Sequence, residues 1–230
     1  MNFVVVGATQ GLGYELTKLL LEKGHAVAAG TVEKEPPPGL AALKAIGKLH
    51  IFPGDVTCDQ QLKAAAQSCE EFFGGKADAL CNVAGVLLSG DRVNKIHECD
   101  PDELRKSFMV NAVGVVLVGK YFYPIMKKGG KVLSITSEGT GLSSCGSWVP
   151  AYCLSKAAAT KASGVFNASV EDVDFYSVHP GRMNTEMGRT TAQIEPIEAA
   201  GGIYSLMVGK TNLSRGQWYV DYNGKPMSMG

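Results

Sequence analysis

A phenol and an ammonium one helical turn apart can move a proton, and Tyr152 and Lys156 stand at that spacing. The i, i+4 interval places both groups on one helix face. Upstream, Gly7, Gly11 and Gly13 follow the strand-like run Phe3-Val4-Val5-Val6. Glycine permits a tight turn and lets phosphate oxygens approach the backbone. A helix start behind such a turn offers free N–H groups and a favourable dipole. A proton donor and a dinucleotide cradle in one chain predict hydride transfer to or from a carbonyl.

The Y-x-x-x-K pattern alone carries little, because Tyr14/Lys18 and Tyr123/Lys127 repeat it. Only Tyr152/Lys156 opens a helical pattern shortly after a strand ending Ser134-Ile135-Thr136-Ser137, and it continues with Ala157-Ala158-Ala159. The other two pairs read as helix-surface contacts. A free phenol titrates near ~10, so catalysis near neutrality needs a downward shift of roughly 2–3 units. A neighbouring ammonium and a positive nicotinamide ring would both favour the phenolate. Ser137 is the expected hydrogen-bond donor to the substrate oxygen. Thr136, on the opposite face by strand alternation, is the alternative.

The elements that must hold these groups alternate between Val-rich runs and helical periodicity. Strands are expected over residues 3–6, 26–29, 49–52, 79–83, 131–136, 175–178 and 218–220. Helices are expected over 11–22, from Asp59 as cap, from Asp100-Pro101 toward Tyr123, over 152–163 and over 196–207. This order predicts a single α/β domain spanning residues 1–230, a Rossmann-type doubly wound, mostly parallel sheet of seven strands. Glu35-Pro36-Pro37-Pro38-Gly39 reads as a stiff surface loop.

The turn Gly7-Ala8-Thr9-Gln10-Gly11-Leu12-Gly13 lies between a strand and a helix, the context that a dinucleotide fingerprint requires. With its G-x-x-x-G-x-G spacing the chain resembles the short-chain dehydrogenase/reductase family, and further motifs fall in order. Asp55-Val56-Thr57 resembles the segment holding an adenine-contacting acid. Asn82-Val83-Ala84-Gly85 resembles the family's N-N-A-G, with Cys81 replacing its first asparagine. Pro180-Gly181, followed by Met183 and Thr185, resembles its nicotinamide-contacting P-G-x-x-x-T. The ending Gly216 to Gly224 is similar to the compact carbonyl-reductase branch that includes C-factor-like proteins.

The resemblance implies a catalytic set of Asn111, Ser137, Tyr152 and Lys156. Asn111 would bend its helix and hold a water that links Lys156 to solvent, and Lys156 would also bond the nicotinamide ribose. Read from the residues alone, Asn111 in the apolar run Val110 to Val118 demands buried partners and could equally be a satisfied core amide. The same resemblance implies cofactor contacts from Gly7, Thr9, Gln10, Gly11, Leu12, Gly13, Val56 and Ala84. Cofactor choice hangs on the end of the second strand. Thr31 stands where an NAD-selecting acid is usual, and Lys34 could approach a 2′-phosphate, which leans the choice to NADP(H). Glu33 and Glu35 pull toward NAD(H).

Val86, Leu87, Trp148, Met183 and Met187 flank the expected site, so an apolar aldehyde, ketone or alcohol is the expected small-molecule substrate. Arg182 and Arg189 keep anionic substrates open, and the glycine-containing interval between Ser137 and Tyr152 is expected to bulge over the substrate. A dinucleotide-sensing binding protein is the rival, since it needs the glycine turn without Tyr152. Charge is balanced, with 22 basic and 22 acidic residues, so neither nucleic acid nor an anionic membrane is favoured as partner. Val110 to Val118 is too short to span a bilayer and reads as a buried helix. That helix and 157–162 offer surfaces for a homodimer or homotetramer. The cysteines (Cys58, Cys69, Cys81, Cys99, Cys145, Cys153) form no C-x-x-C pair, and no histidine is spaced to share a metal with one. Reduced thiols, no metal and a cytoplasmic location are the expectation.

Overall fold

The computed structural model describes residues 1–142, 146–188 and 192–230. Seven strands form one sheet in the order β3-β2-β1-β4-β5-β6-β7. They are β1 (Asn2–Val6), β2 (Ala26–Thr31), β3 (Leu49–Pro53), β4 (Ala77–Asn82), β5 (Met126–Ile135), β6 (Val173–His179) and β7 (Tyr219–Asp221). Every neighbouring pair is parallel, so the expected mostly parallel sheet is wholly so. The central strands are continuous apolar runs because both of their faces are covered. One face packs α1 (Gly11–Glu22) and α7 (Pro196–Met207) through Leu16, Leu20, Ile203 and Leu206. The other packs α3 (Asp59–Phe73) and α5 (Gly114–Phe122) through Leu62, Val118 and Phe122.

Strand order reverses between β1 and β4, which leave the chain's first and fourth crossovers on opposite sides. The loops beyond the carboxyl ends of these two strands diverge to opposite faces of the sheet, which makes this the crevice where ligands bind in such sheets. The sequence elements therefore meet at one edge: the β1–α1 turn and the segments after β3, β4, β5 and β6.

Several local expectations change. After β2 the chain is not all loop: Pro38 starts a short helix, α2 (Pro38–Ala42), because its fixed φ suits a first helical position and Leu40 is drawn into the core. Asp59 does not cap α3; Cys58 holds the cap position, and the Asp59 carboxylate instead accepts from the Tyr121 hydroxyl at 2.8 Å. Asp100 does cap α4 (Pro101–Phe108), accepting from the Asp102 N–H at 2.8 Å. Tyr123 and Lys127 do not share a helix: Pro124 ends the helical run, and Lys127 already lies in β5, paired with Asp78.

Residues 101–125 form one helical stretch, long and apolar enough by length and composition to cross a membrane. It is not buried throughout. Val115, Val118 and Phe122 pack on the sheet, whereas Val113 and Val116 are 38% and 43% exposed. Its middle is a π turn at Met109–Val113, the bend expected at Asn111.

Candidate active site

The β1–α1 turn shapes the floor of the crevice. A methyl group on Gly13 would sit 2.0 Å from the Gly7 carbonyl oxygen, so only glycine lets α1 start this close to β1. No side chain caps α1 at Gln10, and its first turn carries no acid. Its leading N–H groups thus face the cleft with the positive end of the helix dipole, an arrangement that fits a pyrophosphate. Thr9, Gln10, Gly11 and Leu12 line a cleft of about 1120 Å³ together with Gly7. Asp55, Val56, Ala84 and Gly85 form its next wall, and Pro180, Met183 and Thr185 close it beyond β6.

Four of the expected cofactor residues do not reach the cleft surface. Gly13 packs on Gly7, and Asn82 folds back to accept from the Ala84 N–H at 3.2 Å. Gly181, at φ 83°, turns the chain against Ile194 and Tyr222. Thr31 is buried, and its hydroxyl donates to the Glu33 carboxylate while accepting the Glu33 N–H at 3.1 Å. Val32 and Glu33 therefore form the wall at the end of β2, and Lys34 does not line it. Lys34 is one of two grounds for the lean toward NADP(H); the other, the absence of an acid at Thr31 itself, stands. Lys106 and Met109, which the sequence did not single out, also line the cleft, as does Val110 at the head of its apolar run.

Tyr152 and Lys156 project from α6 (Pro150–Ser169) into the same cleft. The Lys156 ammonium donates to the Ile135 carbonyl at 2.7 Å and lies 5.8 Å from the centre of the Tyr152 ring. A methyl group on Gly85 would come within 3.0 Å of that ammonium and 3.2 Å of the Asn111 amide oxygen, so this glycine makes room for both. Asn111 is fully buried. Its amide oxygen accepts the Val86 N–H at 2.8 Å, and its NH₂ donates to the Val86 carbonyl at 2.9 Å and to the Ser155 hydroxyl at 3.0 Å. The side chain is thereby a satisfied amide that ties the π turn to the segment after β4 and to α6.

Burial lowers the Lys156 pKa to about 8. For Tyr152, burial of the hydroxyl pushes the value up to about 12, the negative form of Cys153 adds to this, and a hydrogen bond from Ser137 opposes it. This is the reverse of the downward shift expected from the lysine neighbour. Desolvation of the phenolate outweighs the Ser137 hydrogen bond, so within the protein's own groups the phenol is held as a proton donor. Of the two candidate oxyanion donors, Ser137 is the one that acts on the Tyr152 phenol, whereas Thr136 is the one that lines the cleft, its hydroxyl oxygen accepting from the Ser177 hydroxyl at 3.0 Å.

The interval after Ser137 does not cover the cleft where it is described. Thr140 turns inward to donate to the Tyr219 hydroxyl, and Trp148 is 76% exposed. Of the expected apolar pocket residues, Val86, Met183 and Met187 line the cleft, and Leu87 and Trp148 do not. The Arg182 guanidinium is paired with Glu138, which in turn donates its N–H to His179 Nδ1 at 3.1 Å. That pairing weakens the case for an anionic substrate; Arg189 lies outside the described residues, as does Cys145.

Comparison with known proteins matches these features. The family model for short chain dehydrogenases matches residues 2–195. A short chain dehydrogenase of Hypocrea virens is 28% identical, covering 90% of this chain and 82% of its own. A 1-hydroxy-2-glutathionyl-2-methyl-3-butene dehydrogenase of Rhodococcus is also 28% identical, covering 87% of each chain. Among solved structures, a short-chain dehydrogenase/reductase from Burkholderia multivorans with bound NADP superposes with a TM-score of 0.86 at 24% identity, covering 99% of this chain and 98% of that one. A carbonyl reductase from Pseudomonas aeruginosa gives 0.82 at 24% identity over 99% of both. The chain belongs to the short-chain dehydrogenase family and is an oxidoreductase that works with a nicotinamide dinucleotide.

Proposed function

We propose that the protein interconverts an apolar aldehyde or ketone and its alcohol, with Tyr152 as the proton donor and acceptor. The observation that carries this is the opening of Tyr152 and Lys156 onto the same cleft as the glycine turn. A bound nicotinamide supplies or accepts the hydride. The chain's own part is to hold the phenolic proton at the substrate oxygen, with the Ser137 hydroxyl beside it to stabilise developing charge. Lys156 holds a positive charge behind the phenol, and Asn111 fixes the backbone that shapes the space around Lys156. Val86, Met183 and Met187 give the substrate an apolar wall, and the carbonyl-reductase name of the Pseudomonas neighbour points to the same class. A pure dinucleotide sensor would make no use of the Ser137–Tyr152–Lys156 arrangement. Turnover of a panel of apolar carbonyls separates the two readings: cofactor binding with no turnover would favour the sensor.

We further propose a preference for NAD(H). Glu33 on the cleft wall can accept from a ribose 2′-hydroxyl and would repel a 2′-phosphate. Selectivity measured as the ratio of kcat/KM values is expected to favour NADH over NADPH by about tenfold or more, a difference of ~1.4 kcal/mol or more. Glu33→Gln, which keeps size and removes charge, should bring the two within a few-fold. A parent protein that prefers NADPH would refute the assignment.

We also assign the exposed apolar side chains Val113, Val116 and Leu154 to self-association as a homodimer or homotetramer. Light scattering should give a mass of two or four chains. A monomer at micromolar concentration would contradict it.

A further inference from the structure

The start of α6 has no cap of its own. Val149, the residue before it, is apolar and sits in the left-handed region at φ 43°. A β-branched residue is strained there and persists only when its surroundings enforce it. Pro150 occupies the first helical position and has no N–H to offer. The first donors left over are therefore the N–H groups of Ala151 and of Tyr152 itself.

Both are met by a single side chain from a distant segment. Asp91, in the 3₁₀ turn Gly90–Arg92, accepts the Ala151 N–H on one carboxylate oxygen and the Tyr152 N–H on the other, each at 2.8 Å. Its residue is only 3% exposed. The negative charge also meets the positive end of a 20-residue helix. The following residue, Arg92, donates to the Met187 carbonyl at 2.7 Å, so the same turn touches the segment that closes the cleft.

We infer that Asp91 is a positioning residue for Tyr152: its carboxylate, by holding the Ala151 and Tyr152 backbone, sets where the phenol stands. Among the described residues no nearby side chain substitutes for it, since Val149 at the cap position has no side-chain acceptor to offer. The inference rests on the reading of Tyr152 as proton donor. Asp91 itself touches backbone only, so it should govern turnover without governing dinucleotide affinity.

The test compares Asp91→Asn, which keeps one acceptor oxygen, and Asp91→Ala, which keeps none. Readouts are amide hydrogen exchange along α6, NADH and NADPH affinity by fluorescence, and turnover of an apolar aldehyde accepted by the parent. Exchange at Ala151 and Tyr152 should accelerate at least about tenfold in Asp91→Asn and further in Asp91→Ala, with the C-terminal half of α6 unchanged. Turnover at saturating dinucleotide should fall about tenfold and about a hundredfold respectively, since small misplacements of a reacting group cost rates of that order. Dinucleotide affinity should stay within about twofold. Unchanged turnover per folded molecule, even with a lower melting temperature, would overturn the inference. So would failure of both variants to accumulate as folded protein, which would place the carboxylate in the fold as a whole. Tyr152→Phe run in parallel keeps the two ideas apart. Retained turnover there defeats the proton-donor reading, whereas its loss beside a fully active Asp91→Asn defeats only the role of Asp91.

Discussion

Tyr152→Phe should lower turnover of an apolar carbonyl by roughly 10³-fold, within the 10²–10⁴-fold that a positioned acid or base contributes. The substitution removes one oxygen and keeps the ring, so the packing of α6 is preserved. The lost partner is the Ser137 hydroxyl, which is partly exposed and can turn to water. Dinucleotide affinity should change little, because the pyrophosphate-facing groups lie across the cleft at Gly7 to Leu12. With the phenol pushed up to about 12, its proton is present throughout the neutral range. Reduction of a carbonyl should then be nearly flat from pH 6 toward pH 8 as far as Tyr152 is concerned. Oxidation of the alcohol needs the phenolate and should accelerate as pH rises. Rates measured in both directions against pH, with parallel binding titrations, check the set. Turnover by Tyr152→Phe within about tenfold of the parent would show that the proton comes from another group.

Lys156→Met should impair activity and stabilise the fold at the same time. Burial lowers the Lys156 pKa from 10.5 to about 8, a drop equivalent to roughly 3 kcal/mol carried by the folded state when the lysine is charged. The sign follows from proton counts. Between pH 8 and 10.5 the unfolded chain binds more protons at this site than the folded one, so stability from this group rises with pH across that window. The cost is fully present below about pH 8 and gone above 10.5. Methionine removes it but leaves the Ile135 carbonyl without its donor, a loss of about 1–3 kcal/mol at every pH. A net gain of about 1 kcal/mol is expected at pH 7, turning into a net loss by pH 10 or above. Urea midpoints at the two pH values measure it, and a variant less stable than the parent at pH 7 would disprove it. Activity should fall by about a hundredfold or more, because the charge that favours the phenolate during turnover is gone. A residue that costs stability and remains in place marks a functional site.

Much of the architecture is legible in the chain because it depends on near neighbours. Helix α1 and helix α7 begin and end where periodicity and glycine or proline signals place them, and the strands match their apolar runs closely except β5, which starts five residues early at Met126; α6 also runs six residues past the expected end at Ser163. The pairing of Tyr152 with Lys156 is likewise a property of one helix. Errors fall where a local rule met a distant partner. Asp59 looked like a cap, and Tyr121 claimed its carboxylate instead. Leu40 pulled a proline-rich segment into a helix by finding the core.

From the residues alone came the βαβ order, the dinucleotide turn, the acid–base pair and the family resemblance, all set by spacing along a covalent chain. Tertiary structure alone decided that Glu33 rather than Lys34 faces the cleft, that Asn111 is spent on Val86 and Ser155, and that Asp91 grips the start of α6 from 60 residues away. It also decided the direction of the Tyr152 shift. Hydrogen bonds and desolvation act through space, and the distances that govern them exist only once the chain has closed on itself.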